Sequence, residues 1–160
     1  MSVRAWLFVP GLISAVFAVG CGGGSSGPIE PLVPVGGTLL IDGQPLDGVV
    51  VTFIPDIADK ERQGGSGTTD GSGAFTIKHL GQNLPGLAVG KYTVACSRMR
   101  LSDGSAAPEV KSGSQPDPAN IRIESLPVNL TNPNPKDPAT QVVIPKDGNL
   151  KLELKLSKKK

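Results

Sequence analysis

The last apolar segment of the chain, residues 149–156, most sharply limits the fold. Its sequence, NLKLELKL, alternates leucines with charged or polar residues. Because the side chains of an extended strand point to opposite faces in turn, this period of two predicts a strand with Leu150, Leu152, Leu154 and Leu156 facing a core. A helix would instead need a period of about 3.6 residues. The segment therefore indicates a β-sheet domain.

The chain between residue 35 and this segment consists of short apolar runs separated by turn residues. The 160 residues include 21 Gly and 15 Pro, which form tight turns and end strands. β-Branched and aromatic runs predict strands at residues 35–41, 49–54, 74–78, 91–98, 121–124, 140–144 and 149–156. The last two are expected to form a hairpin across the sequence PKDG. No helix is expected after the first 20 residues, so we predict a single antiparallel Greek-key β-sandwich of about seven strands, transthyretin-like or immunoglobulin-like.

Three polar or proline-rich stretches are expected to connect these strands. Residues 56–67 are Gly-rich and predict a surface loop, and residues 127–138 predict an extended connection. Residues 99–120, MRLSDGSAAPEVKSGSQPDPAN, have little apolar periodicity. A loop of this length is uncommon in a compact domain, so the sequence predicts that it is either mobile or specialised for binding.

One predicted strand contains the residues most easily mistaken for a reactive site. Tyr92, Val94 and Cys96 fall on one face of it, which predicts that Cys96 is a core thiol. The preceding residues, LAVGKY, resemble the tyrosine corner of Greek-key sandwiches, which gives Tyr92 a structural role. His79, at the end of an earlier strand, is expected to be exposed.

The first 20 residues differ from the rest of the chain. A single charge, Arg4, precedes an uncharged apolar run that is too short to span a bilayer comfortably and fits a secretory signal. Small residues stand before Cys21, in the sequence AVGC, and GGGSSG follows it. This arrangement resembles the lipobox of bacterial lipoproteins, in which a diacylglycerol is attached to the cysteine thiol and the leader is removed. An ordinary cleaved signal and an uncleaved anchor are the alternatives.

The lipobox resemblance carries expectations for Cys21 and for the segment after it. It implies lipidation of Cys21, and several acyl chains hold a protein on a membrane far better than one chain does. Residues 21–34, rich in Gly, Ser and Pro, then form a tether. The expected location is the bacterial cell membrane after export. Because no Asp follows Cys21, the sequence resembles lipoproteins sent to the outer membrane in bacteria with two membranes.

The order of the turn and strand motifs resembles a known family. GQPLDGVVVTFIP, then GTTDGSGAF, then GKYTV are similar to motifs of carboxypeptidase regulatory-like (transthyretin-like) β-sandwich domains, and in particular to small bacterial lipoproteins with one such domain. The resemblance covers residues 35–157, and a basic tail, residues 158–160, follows. It implies about seven strands and a non-catalytic role. No functional residue is transferred with it, because the matching positions shape turns and core.

Composition and the shortage of catalytic side chains exclude several functions. The balance of 16 Lys and Arg against 14 Asp and Glu offers no basic field for nucleic acid. With His79 as the only histidine, a multi-histidine metal site cannot be assembled in one chain. A Ser-His-Asp triad would depend on that same residue, and no Gly-x-Ser-x-Gly nucleophile elbow stands at a predicted strand-to-helix turn. We therefore predict that the protein is not an enzyme and has no catalytic, cofactor or metal residues. Cys21, the lipidation position, is the single predicted site residue.

Two function classes remain after an enzyme is set aside. We favour a lipid-anchored, non-catalytic cell-envelope protein whose sandwich is a structural or protein-interaction module. The alternative is a carbohydrate or ligand binder that uses residues 99–120. Its weakness is the shortage of aromatic platforms for sugars, since the aromatic residues after the leader all fall on predicted core faces. The expected partners are the membrane, through the lipid on Cys21, and an unidentified envelope protein or polysaccharide.

Overall fold

The computed structural model describes residues 31–56, 62–107 and 121–158 of the chain. Its strands are β1 (Leu32–Val33), β2 (Val35–Ile41), β3 (Gln44–Pro45), β4 (Val50–Pro55), β5 (Gly65–Thr68), β6 (Ala74–Thr76), β7 (Lys78–His79), β8 (Leu87–Ala88), β9 (Gly90–Ser97), β10 (Met99–Leu101), β11 (Arg122–Glu124), β12 (Gln141–Ile144) and β13 (Asn149–Leu156). One helical turn, α1 (Val128–Thr131), and a 3-10 turn (Pro138–Thr140) lie between β11 and β12.

The strands form two main sheets that make a β-sandwich. The first sheet has the order β12-β9-β4-β5-β7, and each pair in it is antiparallel. In the second sheet, β2 lies between β13 on one side and β3 and β6 on the other. The pair of β2 and β13 is parallel, and the other pairs are antiparallel. The predicted all-β sandwich is confirmed, with one parallel pair where a wholly antiparallel arrangement was expected.

The core lies between the two sheets and is filled by alternate side chains of their strands. The largest fully buried side chains are those of Tyr92, Phe53, Leu39, Ile77, Leu87 and Ile144. The ring of Phe53 is at the centre of an aromatic cluster, with its centroid 6.1 Å from that of Tyr92 and 6.4 Å from that of Phe75. Such tilted and edge-on contacts add to the apolar burial, so this cluster joins the two sheets.

The tyrosine corner predicted at Tyr92 is present. The Tyr92 hydroxyl donates a hydrogen bond of 2.8 Å to the backbone oxygen of Ala88, four residues earlier, and both residues are buried. Ala88 belongs to β8, whose partner is β1 rather than either main sheet. The hydrogen bond therefore fixes the β1–β8 pair against the start of β9.

We expect Tyr92→Phe to lower the free energy of unfolding by about 1–3 kcal/mol. The substitution keeps the buried ring but leaves the Ala88 carbonyl without this donor, and an unpaired buried acceptor costs free energy. Urea unfolding followed by circular dichroism measures the change. An unchanged midpoint would show that the hydroxyl contributes nothing to holding the corner.

The hairpin expected from residues 140–144 and 149–156 is not formed. β12 pairs with β9 in the first sheet, whereas β13 pairs with β2 in the second. The turn between them is tight, with Gly148 at φ +73°, and it packs against Pro34. The Asn149 amide then donates to the Pro34 oxygen at 2.8 Å, which places β13 beside β2. The turn residues were identified correctly, but the turn links two sheets.

The inward face predicted for the four leucines of β13 is correct at one end only. Leu154 and Leu156 are buried, whereas Leu150 is 63% exposed. The pairing of β13 with β2 shifts register between Asn149 and Leu152. Because such an irregularity rotates the side chains before it relative to those after it, the alternation seen in sequence does not carry through to Leu150.

One predicted strand is divided, and another strand lies where a loop was predicted. The strand predicted at residues 74–78 is divided at Ile77, because β6 pairs with β2 in one sheet and β7 pairs with β5 in the other. β5, with the sequence GSGT, overlaps the end of the loop predicted at residues 56–67 and extends to Thr68. Glycine is depleted in strands, so the sequence of β5 gave no strand signal.

Short helical turns and two further strands lie where extended or irregular chain was predicted. The connection predicted to be extended, residues 127–138, contains α1, whose Leu130 is buried. β10 lies at the start of the loop predicted at residues 99–120, and residues 108–120 lie outside the described residues. β1 falls within the last part of residues 21–34, which were predicted to be tether.

The strand register defines two opposite ends of the sandwich. At one end, which we call the entry end, lie Pro34 before β2, the 79–86 turn and the 145–148 turn. At the other, the ribbon end, lie the 70–73 turn and the connection between Ile41 and β4. β9 runs from the entry end to the ribbon end, so β10 and β11 follow it there. The chain therefore enters the sandwich at one end and carries β10 and β11 at the other.

Candidate functional site

β10 and β11 form a separate two-stranded ribbon at the ribbon end. They pair antiparallel, with Arg100 opposite Ile123 and Leu101 opposite Arg122. The turn after β10 is closed by backbone hydrogen bonds between Leu101 and Ser105 and between Gly104 and Leu101. Asp103 also accepts from the Ser105 amide at 2.8 Å, an Asx turn that suits a tight reversal. Local hydrogen bonding therefore shapes the first part of the segment predicted to bind ligands.

Arg98, just before the ribbon, and Arg100, on β10, converge on one carboxylate. Nη2 of Arg98 lies 2.7 Å from Oδ1 of Asp47, and Nη2 of Arg100 lies 3.2 Å from the same oxygen. Nε of Arg98 also donates to the backbone oxygen of Asp47 at 2.9 Å. The arginine side chains are 17% and 19% exposed, whereas that of Asp47 is 58% exposed. The cluster thus places two partly desolvated positive charges against a single negative one.

Asp47 is ionised at neutral pH. The hydrogen bond from the Arg98 side chain is the main reason why the pKa of the Asp47 carboxyl lies below its usual value, and the charges of Arg98 and Arg100 act in the same direction. Together the three side chains carry a net charge of +1. An excess of guanidinium over carboxylate is a common feature of sites that bind anions.

Glu124, on the other face of the ribbon, has a structural role. Its carboxylate accepts hydrogen bonds from the Ser97 hydroxyl, from the Arg98 amide at 2.9 Å and from the Leu126 amide at 2.8 Å. Burial is the largest single influence and raises the pKa of Glu124, but these hydrogen bonds together outweigh it and hold the pKa below its ordinary value. Glu124 therefore fixes the ribbon to the end of β9.

A cavity of about 510 Å³ opens beside the two arginines. Hereafter we call it the ribbon cavity. Its lining side chains include Arg98, Arg100, Leu101, Ser102, Ile123 and Ser125. Among the described residues that line it, two carry guanidinium groups and none carries a carboxylate, because Asp47 lies outside the lining. The ribbon cavity is therefore positive, with an apolar wall and two hydroxyls.

The sequence pattern did not predict this cluster. Arg98 and Arg100 are two residues apart in an extended chain, which alone places them on one face. Their partner Asp47 is 51 and 53 positions away in sequence, and only the packing of the ribbon against the 46–49 connection brings it near. The spacing of the arginines was the one available signal.

His79 and Cys96, two described residues that the sequence analysis considered, are not among the described lining residues of the ribbon cavity. Cys21, the predicted lipidation position, is outside the described residues. His79 is 7% exposed, which corrects the expectation of an exposed side chain. Its Nδ1 accepts a hydrogen bond of 3.1 Å from the Gln82 amide, so the imidazole closes the 79–84 turn. The strand ends at His79, but the turn after it folds back and covers the ring.

Cys96 is a buried core thiol, as the strand pattern predicts. The side chain is fully buried, and this burial raises the pKa of the thiol to about 12. The thiolate is the nucleophilic form of cysteine, so a thiol with such a pKa is inert at neutral pH. Its place in the core supports packing and not chemistry.

In a Cys21→Ser background, where Cys96 is the remaining thiol, we expect iodoacetamide to leave the folded chain unlabelled at pH 8 and to label it after unfolding in urea. Mass spectrometry of the two samples measures this.

The buried thiol also makes stability depend on pH. The pKa of the Cys96 thiol is about 12 in the folded chain and 9.0 ordinarily, so the unfolded chain loses this proton first. The contribution of the protonated thiol to the free energy of unfolding should therefore be lost as the pH rises from 9 toward 12. Rapid labelling of the folded chain at pH 8 would contradict the burial of Cys96.

A second groove, of about 500 Å³, lies on the outer face of the five-stranded sheet. Its walls include Ile54, Lys91 and Val143 on neighbouring strands and the prolines at 133 and 135. Ile54 and Val143 are 46% and 63% exposed. The groove also borders Asp56, after which residues 57–61 lie outside the described residues. Among its described lining residues the charges of Asp56 and Lys91 balance, whereas those at the ribbon cavity have an excess of positive charge.

Comparison with known proteins identifies no functional site, and the described residues contain no metal site. Protein-family models, curated proteins and solved structures were compared with the chain, and none matched. Within residues 31–56, 62–107 and 121–158, no three His, Cys, Asp or Glu side chains are grouped as metal ligands. Over the same part of the chain, no helix has the length and apolar character needed to cross a membrane. The ribbon cavity is thus the candidate site that the charge of the described lining residues supports best.

Proposed function

We propose that the protein is an exported, lipid-anchored component of the bacterial cell envelope whose non-catalytic β-sandwich is an interaction module. The observation that supports this most is that the point where the chain enters the sandwich and the ribbon cavity lie at opposite ends. The chain enters at Pro34 on the entry end, and the ribbon cavity lies at the opposite end. A lipid on Cys21 would then hold the entry end toward the membrane and leave the ribbon cavity facing away from it.

The dimensions suit such an arrangement. β2, with seven residues, spans roughly 23 Å at the usual rise of a strand. The ten residues from Gly22 to Pro31, which precede β1, would reach roughly 17 Å if they behaved as a flexible Gly- and Ser-rich linker. The two lengths together would place the ribbon cavity well beyond the lipid headgroups, where an envelope protein or polysaccharide is accessible.

The structural roles of Cys96 and His79 also support a module that acts by binding. Cys96 is packed in the core, and His79 closes a turn through its ring nitrogen. Both therefore have structural roles. The proposal includes the resemblance of residues 35–157 to carboxypeptidase regulatory-like domains, a family in which such sandwiches typically accompany enzymes or lie on cell surfaces. It also includes the outer membrane as the destination in bacteria with two membranes.

We expect Cys21→Ser to abolish acylation. The reaction needs the cysteine sulfur, so the variant should incorporate no labelled palmitate and should accumulate as the precursor that retains residues 1–20. Expression of the full chain in a bacterium, followed by palmitate labelling and membrane fractionation, measures both effects. The matched control is Cys96→Ala, which removes the other cysteine and should be labelled normally.

Two results of this experiment would count against the lipid anchor. Normal labelling of Cys21→Ser would place the acyl chains elsewhere, and an unlabelled wild-type chain would favour an ordinary signal or an uncleaved anchor. A wild-type chain that is labelled and processed, beside a variant that is neither, supports the proposal.

The ribbon cavity favours a second candidate function, the binding of an envelope carbohydrate. Part of the segment predicted to bind ligands, residues 99–107, forms one side of this cavity. A pull-down from solubilised envelopes with the full chain, run beside a binding assay on purified cell-wall polysaccharide, separates the two functions. A specific protein partner without polysaccharide binding supports the protein-interaction module. Saturable polysaccharide binding supports the second function.

A further inference from the structure

We propose that the ribbon cavity binds an acidic saccharide through its carboxylate, with Arg100 as the anchoring residue. This inference rests on the second candidate function, the binding of an envelope carbohydrate, and names the ligand class for it.

The charge of the described residues at the ribbon cavity favours an anionic partner. Arg98 is committed to the 46–49 connection, since it donates to both the backbone oxygen and the carboxylate of Asp47. Arg100 makes one longer contact, of 3.2 Å, through Nη2. A guanidinium has five N–H donors in a planar fork that matches a carboxylate. Because the Arg100 side chain is only 19% exposed, a ligand carboxylate would interact with it in a partly desolvated setting, where charge attraction is stronger.

The walls of the ribbon cavity suit a sugar more than a flat aromatic ligand. Ser102 and Ser125 supply hydroxyls, and the Ser125 hydroxyl donates to the Arg98 oxygen at 2.8 Å while its lone pairs can accept from a ligand. Its volume of about 510 Å³ lies within the range of about 300–1,000 Å³ that is usual for small-ligand sites. No aromatic side chain is among the described lining residues. A neutral sugar would therefore lack a stacking platform, and charge must supply the affinity.

Asp47 acts as an internal competitor for the ligand. Its Oδ1 occupies the position between the two guanidinium groups that a ligand carboxylate would approach. Its side chain is 58% exposed and lies outside the cavity lining, so it can turn away into solvent. A bound carboxylate would share or replace this contact. Removal of the Asp47 charge should consequently strengthen binding and raise the net charge of the cluster from +1 to +2.

Calorimetry of the full chain in detergent micelles at low ionic strength tests the proposal. Tri-galacturonate is the probe, and galactotriose, which lacks carboxylates, is the neutral control. We expect saturable binding of the acidic sugar alone. Arg100→Gln should weaken it by about tenfold or more, because a charge-assisted hydrogen bond is lost. Asp47→Asn should tighten it by about tenfold.

Arg122→Gln is the matched control for the loss of one ribbon charge. Arg122 is exposed, pairs with Leu101 and lies outside the cavity lining, so its removal should leave the affinity nearly unchanged. Arg100→Lys keeps the charge without the planar fork and should give an intermediate affinity. Equal urea midpoints for all the variants would show that the differences arise in binding and not in folding.

Three results with the saccharide probes would overturn the inference. They are no saturable binding of tri-galacturonate, equal losses of affinity in Arg100→Gln and Arg122→Gln, and equal binding of galactotriose. Tighter binding of hexaglutamate than of tri-galacturonate would assign the cavity to acidic peptides and also overturn it. Because calorimetry in micelles does not depend on membrane attachment, failure here leaves the palmitate and pull-down results unaffected, and the two proposals fail separately.

Discussion

Phe75→Ala is expected to lower the free energy of unfolding by about 3–5 kcal/mol, the usual cost of truncating a buried phenylalanine. The Phe75 side chain is 5% exposed, and its ring centroid is 6.4 Å from that of Phe53 on the opposite sheet. Its removal would leave a cavity between the two sheets and take away one contact of the aromatic cluster. Chemical unfolding at equilibrium measures the change.

The matched control for Phe75→Ala is Leu150→Ala. The leucine lies on β13 and is 63% exposed, so the substitution removes apolar side chain at the surface and should change the unfolding free energy by less than about 0.5 kcal/mol. An effect of Leu150→Ala as large as that of Phe75→Ala would contradict the rotation of β13 at its register shift. An unfolding midpoint of Phe75→Ala equal to that of the wild type would contradict the placement of Phe75 in the core.

Gly37→Ala is expected to destabilise the sandwich by about 3 kcal/mol, near the upper end of the usual cost of overpacking. A Cβ atom at this position would lie 1.9 Å from the backbone oxygen of Leu152 and 2.6 Å from its carbonyl carbon. These are main-chain atoms of the partner strand, which cannot rotate away as a side chain can. The substitution would therefore separate β2 from β13 at the register shift.

Gly71→Ala provides the comparison. No heavy atom lies within 4 Å of a Cβ built at Gly71, and its backbone is not in the left-handed region. We expect an unfolding free energy within about 0.5 kcal/mol of the wild type. Wild-type stability in Gly37→Ala would mean that β2 and β13 are not held as closely as the structure has them. Thermal unfolding of both variants measures this.

The strands that sequence predicted best are those whose alternation coincides with a buried face. The bounds of β2 and β13 match the predictions at residues 35–41 and 149–156. The alternate burial of β9 follows its sequence for the same reason. β5 was missed because its packing depends on the absence of side chains at Gly65 and Gly67, and an amphipathic pattern cannot show that.

Pairing partners and the candidate site could not be predicted, because both depend on long-range packing. The turn before β13 has the chemistry of a hairpin, but contact with Pro34 directs the strand to the other sheet. Likewise, the Arg98 and Arg100 pair is visible in sequence, but its charge balance depends on Asp47 from a distant connection. Local sequence sets which residues are extended, whereas packing decides what they face.

The parallel pairing of β2 with β13 has a mechanical consequence for an anchored protein. A pull between a lipid at Cys21 and a ligand held at the ribbon end would be directed along β2, from Val35 toward Ile41. The hydrogen bonds that join β2 to its neighbours lie across that direction, so they would be loaded together in shear rather than opened one after another. β2, the first long strand after the tether, would thus resist extraction, and the sandwich would carry tension between ligand and membrane before it opened.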